Sequence, residues 1–243
     1  MPSQTWRAFL TNHVSQLTSV DFFTVPTATF RVLFVFVVLL HDRRRLVHVN
    51  VTAHPTAAWT AQQLREAWPW DTAPHFVIRD RDTIYGSDLR RTAQAMSIED
   101  VLTAPRSPWQ NPFVERVIGA VRRACLDHVI VWNERSLRRH LQQYLTYYHE
   151  WRTHLSLDKD APVPRAGQPP TCGTIVQVPH LGGLHHHYVR RAASPSPWPP
   201  PTACRHSPSS PSSGPGVSTP DLSRPKDRQH GAFGTLGAAC WRQ

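Results

Sequence analysis

Apolar positions along the chain follow two rhythms. SVDFFTV, residues 19 to 25, is β-branched and aromatic almost throughout and reads as a strand, broken in chemistry only by Asp21. FRVLFVFVVLL (30–40) and LVHVNV (46–51) repeat that signature on either side of the charged turn HDRRR, predicting a three-stranded antiparallel meander. The rhythm then turns helical: Thr56 is placed to cap a helix whose Trp59, Leu64 and Trp68 face a core. HFVIRD is a short buried strand ending at Asp80, SDLRRTAQA a short helix and VLT (101–103) another strand-like piece. Asn111 and Pro112 suit the cap and first position of a helix, where Phe113, Val117 and Val121 recur every fourth residue beside Val114 and Ile118. VRRACLDHVIV is expected to continue it. A second helix begins at Asn133 and sets Leu137, Leu141, Tyr144, Leu145 and Tyr148 on one side. Strands followed by strand–helix alternation predict an α/β domain, a mixed sheet flanked by helices.

The ends differ from this middle. TWRAFLTNHVSQL predicts a short amphipathic helix with Trp6, Phe9, Leu10 and Val14 or Leu17 on one side. After Leu157, DKDAPVPRAGQPP reads as a linker, and TIVQVPHLGGLHHHYVRR as a small β hairpin turning at Gly182-Gly183. From Ala192 proline and serine dominate without apolar periodicity, which predicts a disordered tail. The expected division is therefore a lead-in at 1–17, a core at 18–157, linker and hairpin at 158–191, and a tail at 192–243. The apolar run 30–40 is too short to span a bilayer, which takes about 20 residues. The four cysteines (125, 172, 204, 240) form no C-x-x-C pair and, with no signal peptide, read as reduced intracellular thiols; Cys125 reads as a core thiol.

Charge narrows the function classes. With 27 Lys+Arg against 17 Asp+Glu and a pI near 10.3, the chain fits a polyanionic partner, most simply nucleic acid. Most of the base is arginine, whose fork grips phosphate with two hydrogen bonds. Arg135, Arg138 and Arg139 crowd a helix start, where positive charge opposes the macrodipole; phosphate would supply the reason, plain solvation the alternative. Against this background three acids stand out. Asp21 lies within a strand, Asp80 at the end of another, and Glu115 in the first turn of the Asn111 helix. Carboxylates on buried strands are costly unless paired or bound to a cation, and three converging acids are what a two-metal phosphoryl-transfer site requires. Asp82 competes with Asp80 but reads better as a turn acid capping its own backbone. His41 and Asp42 read as a solvated turn, and His185, His186 and His187 as a basic surface strand without zinc-ligand spacing.

These motifs together resemble the DDE integrase/transposase core of insertion-sequence transposases and retroviral integrases. SVDFF resembles the first-acid strand. IRDRDTIYG is similar to the acid-turn-aromatic motif, and SPWQNPFVERVIGAVRRAC to the asparagine-then-glutamate helix, with Glu115 35 positions after Asp80. NERSLRRHLQQYLTYYHEWRTHLSL resembles the closing Tyr-x-x-x-Arg-x-His-x-x-Leu segment. The resemblance implies a ribonuclease-H-like fold with Asp21, Asp80 and Glu115 holding two Mg²⁺ (or Mn²⁺) ions. It implies DNA end cleavage and strand transfer on transposon ends and target DNA by a homo-multimer, in the cytoplasm, without a membrane. Asn111 would sit in a loop at the DNA, and Arg116, Arg122, Arg123, Arg135, Arg138 and Arg139 would hold the DNA backbone. Full-length relatives would carry a DNA-binding region ahead of the core, so the chain reads as short at its front. A catalytically idle DNA-binding remnant and a ribonuclease-H-like nuclease are the alternative readings.

Overall fold

A computed structural model describes residues 5–69 and 72–192. The expected Pro/Ser-rich tail lies, but for Ala192, outside the described residues.

The meander forms as predicted: β1 (Leu17–Pro26), β2 (Val32–Leu40) and β3 (Arg45–Thr52) are successive antiparallel neighbours. β4 (Phe76–Arg79) then pairs parallel to β1, and β5 (Glu99–Leu102) parallel to β4, giving one mixed sheet of order β3-β2-β1-β4-β5. Helix α2 (Ala57–Ala67) is capped by Thr56, whose hydroxyl accepts from the Trp59 amide. It packs with α3 (Gly86–Ala95) on one face of the sheet, enclosing Val20, Phe36, Val38, Leu64, Val77, Tyr85 and Leu89. Helices α4 (Pro112–Ala124) and α5 (Glu134–Glu150) cover the other face, over Phe23, Val25, Val35, Val37 and Leu39. Strand alternation thus sends odd-numbered β1 residues towards α4, and Asp21 with them.

Four local expectations change. Phe30 and Arg31 are not strand: Phe30 has φ 59° in the turn before β2. Helix α4 does not run on through Cys125, which leaves helical geometry (φ −137°, ψ −62°) and is buried under His140, whose carbonyl accepts from its thiol. The lead-in helix α1 is short, Trp6–Asn12, and Leu17 belongs to β1 instead. His41 is no solvated turn residue. It is 3% exposed, with Nε2 2.6 Å from Ser19 Oγ and its ring against Phe113, because the tight β2–β3 turn folds it under α4.

Strands β6 (Thr174–His180) and β7 (His185–Arg191) form the expected hairpin around Gly182-Gly183. Its histidines serve packing. The His185 ring stacks on Tyr147 at 4.5 Å, and the His187 ring on Trp151 at 3.5 Å, fastening the hairpin to α5.

Candidate active site

Asp21 is placed by the sheet. It sits mid-β1 opposite Val37, partly buried, and its Oδ1 accepts the Phe22 amide at 2.8 Å. Asp80 follows the last residue of β4, where a parallel strand presents its C-terminal end. That end is held rigid by Arg79, whose guanidinium makes a bidentate pair with Asp100 on β5 (2.9 and 2.7 Å) and lies over the Tyr85 ring. Asp82 behaves as the turn acid: its side chain accepts from the Ile84 amide, while its own amide donates to Asp80 Oδ1 at 3.2 Å. Gly86 closes this turn at φ 56°. A Cβ there would stand 2.6 Å from that of Ala57, so only glycine lets α3 start against α2.

Glu115 reaches the same place from the first turn of α4. Asp21, Asp80, Asp82, Asn111 and Glu115 line one cleft of about 380 Å³, together with the Thr103–Ser107 segment. Electrostatics agree with that convergence. The Asp21 carboxyl is pushed up to about 7, first by burial and then by the negative charge of Glu115, with smaller contributions from Asp80 and Asp82. The Asp80 carboxyl is also raised, mainly by desolvation in the cleft. Asn111 occupies the cap position of α4 but makes no capping bond; it is buried, and its Oδ1 has no hydrogen-bond partner. A buried amide oxygen without a donor, beside carboxylates that repel one another, is a hard-oxygen donor set suited to a divalent cation of the Mg²⁺ class. As the side chains stand, no three His, Cys, Asp or Glu among the described residues are close enough to share one ion.

The cleft also contains residues that sequence reading passed over. Arg81 and Arg106 lie at its edge, and Arg81 Nε donates to the Thr103 carbonyl at 2.9 Å. Trp6 donates from Nε1 to the Gln110 carbonyl at 3.1 Å, tying α1 to the segment before Glu115. Arg81 follows Asp80 directly and was legible by adjacency; the Trp6 contact spans 104 positions and has no local signal.

The remaining predicted residues divide. Arg116, Arg122 and Arg123 are exposed along α4, with Arg122 also 5.3 Å over the Phe23 ring. Arg135, Arg138 and Arg139 line a second, open cleft with Glu134 and Gln142 at the start of α5. Arg138 is not free there: it donates to Asn50 Oδ1 and the Val51 carbonyl and pairs with Glu134 at 3.6 Å, clamping α5 to β3.

A family model described as integrase core domain matches residues 96–162, a span containing Glu115 but neither aspartate. A chain of the simian T-cell lymphotropic virus intasome, solved in complex with PP2A regulatory subunit B56 gamma, is 11% identical with a TM-score of 0.50 over 74% of this chain and 80% of that one. The fold is that of an integrase core. It is the ribonuclease-H-like arrangement, a mixed five-stranded sheet with helices on both faces. The integrase-type core also overlaps the catalytic domain of Mos1 mariner transposase (13% identity, TM-score 0.49, 58% of this chain and 77% of that). A further match is the catalytic core domain of BIV integrase (15%, 0.45, 61% and 91%). No curated protein matches the sequence.

Proposed function

We propose that the chain is a DNA transposase or integrase that cleaves DNA ends and joins them to target DNA by metal-dependent phosphoryl transfer. The observation that carries this reading is the convergence of Asp21, Asp80 and Glu115 in one cleft, with the Asp21 carboxyl raised to about 7 by burial and its neighbours. Asp21 and Asp80 would hold the ions from the sheet, and Glu115 would complete the second site from α4. Bound Mg²⁺ or Mn²⁺ would supply Lewis acidity at the phosphate and lower the pKa of an attacking hydroxyl. No side chain then has to form a covalent intermediate. Arg81 and Arg106 stand where they would offset phosphate charge at the cleft edge, while Arg116, Arg122, Arg123, Arg135 and Arg139 would hold the backbone without reading sequence. Arg138 would contribute less, being engaged with β3. In this reading 18–157 is the catalytic unit and 158–191 its linker and hairpin, acting inside the cell as a homo-multimer on DNA. Solved relatives include an HTLV-2 integrase catalytic core domain in complex with magnesium and a Mos1 catalytic domain with Mg.

A second reading, an idle DNA-binding remnant, is favoured by the arrangement of the described side chains, among which no three His, Cys, Asp or Glu are grouped so as to hold a metal ion. Calorimetric titration of Mn²⁺ and Mg²⁺, with and without DNA, separates the two. We expect binding that is weakened at least tenfold by Asp80→Asn and by Glu115→Gln and survives Asp82→Asn. Absence of binding even with DNA present would make the remnant the better account, and equal binding by all variants would overturn the assigned triad.

A further inference from the structure

Two loops far in sequence are joined at the end of the sheet. The Ala28 amide donates to the Val131 carbonyl at 2.7 Å, setting the β1–β2 turn beside the segment that leads into α5. Both loops expose large apolar side chains at this junction. Phe30 is 97% exposed, and Trp132 60%. Neither exposure is a loose end. The Phe30 turn is fixed by the Thr27 amide donating to Arg31 O, the Phe30 amide donating to Thr27 O, and the Thr27 hydroxyl bonding to both polar backbone atoms of Arg31. Phe30 is held there at φ 59°, a region a bulky side chain enters only against strain, where glycine or asparagine would be the ordinary choice. Across the junction, Val131 is buried and pins its loop, so that Ile130 (66% exposed) and Trp132 turn outward. The Phe30 ring is displayed at a cost in backbone strain and both rings at a cost in hydration, which favours a partner outside the fold.

The chemistry next to them says which. Arg31 is exposed beside Phe30, and Arg135 and Arg139 open a cleft on the first turns of α5, directly after Trp132. The positive charge there opposes the helix dipole and so favours an anion. Exposed aromatic rings with exposed arginines close by in the chain match a strand of unpaired bases, whose rings stack while its phosphates pair with guanidinium. We infer that Phe30 and Trp132 form a stacking platform for unpaired bases of a DNA strand whose phosphates lie on Arg135 and Arg139. That the polymer is DNA rests on the function proposed above; the stacking itself needs neither the acids nor a metal.

The test is fluorescence anisotropy of a labelled oligothymidine and of a duplex of equal length, titrated with the full chain in EDTA. A failed metal site therefore leaves the result readable. Trp132→Ala and Phe30→Ala should each weaken single-strand binding about 5- to 100-fold while changing duplex binding less than about twofold. Phe30→Gly serves as the folding control, since glycine relaxes the strained turn. It should lose the same single-strand affinity with a melting temperature unchanged or raised. Single-strand affinity untouched in both alanine variants overturns the platform, as does equal loss for strand and duplex, or a lowered melting temperature in Phe30→Gly. A concentration-dependent dimer that Trp132→Ala abolishes, with strand binding intact, would assign the surface to a second copy instead.

Discussion

Replacing Asp21 with asparagine should stabilise the metal-free protein, a direction opposite to that of most changes to a partly buried residue in a central strand. The reason is electrostatic. Moving a carboxyl from 3.8 to about 7 corresponds to a ceiling of about 4 kcal/mol against its charged form at alkaline pH. Part of that disappears through solvent screening, because Asp21 is not fully buried. Asparagine has the same shape, and its Oδ1 retains the bond from the Phe22 amide. A gain of about 1–3 kcal/mol is therefore expected in urea unfolding at pH 8 in EDTA. The sign depends on pH. Between pH 3.8 and about 7 the folded chain keeps a proton that the unfolded chain has released, so Asp21 lowers stability progressively as pH rises through that window. Wild type and variant should thus converge near pH 4 and separate by pH 8. Saturating Mn²⁺ should raise wild-type stability and narrow the gap. A variant that is less stable than wild type at pH 8, or equal to it, would refute the reasoning, since the carboxylate would then not be held against its neighbours and no cation would be called for.

Two further outcomes follow from other sites. Gly86→Ala should cost about 2 kcal/mol or more in the same unfolding assay, from the left-handed backbone and the 2.6 Å approach to Ala57, with a melting curve like wild type overturning the turn geometry. His41 and His149 are pushed down to about 4 by burial, and the His149 ring nitrogen accepts the Leu46 amide. Both groups contribute stability that is complete above pH 6.5 and lost as pH falls through about 4, at most about 3 kcal/mol each. Because Asp21 acts in the opposite sense over much of that range, acid destabilisation should be steeper in Asp21→Asn than in wild type. Imidazole titrations by NMR with midpoints near 6.5 would refute this.

The helices and strands were legible where a single physical rule dominated. The alternation in β1 and the four-residue recurrence from Phe113 to Val121 are periods a sequence displays directly, and the caps at Thr56 and Asn133 are set within three residues. Errors fell where a hydrogen-bonded turn or a tertiary contact overrode residue propensity. Phe30 has high strand propensity, but the hydrogen-bonded Thr27–Arg31 turn sets its backbone. His41 reads as polar turn, but the Ser19 hydroxyl and Phe113 ring enclose it. Cys125 ends α4 with its thiol against the His140 carbonyl of α5, a contact that no property of the α4 segment announces.

The candidate site shows the same division in a more useful form. Asp21 and Asp80 could be singled out before any fold was known, because a charge on a strand or at a strand end needs a reason, and Glu115, an ordinary first-turn acid by itself, gained its place from those two. Their meeting could not be read that way. It depends on β1 and β4 being parallel neighbours and on odd β1 positions facing α4, both properties of the whole sheet. What supports the site is less legible still: the Arg79–Asp100 pair crosses from β4 to β5, and the Trp6 bond to Gln110 joins the first described helix to the loop before Glu115. Asn111 makes the point most sharply. Its position marks a helix cap, yet its side chain leaves the helix amides unserved and its Oδ1 remains buried without a hydrogen-bond partner in the cleft. A residue type common at caps thus offers its oxygen beside Glu115, where capping alone gives no reason for it to be.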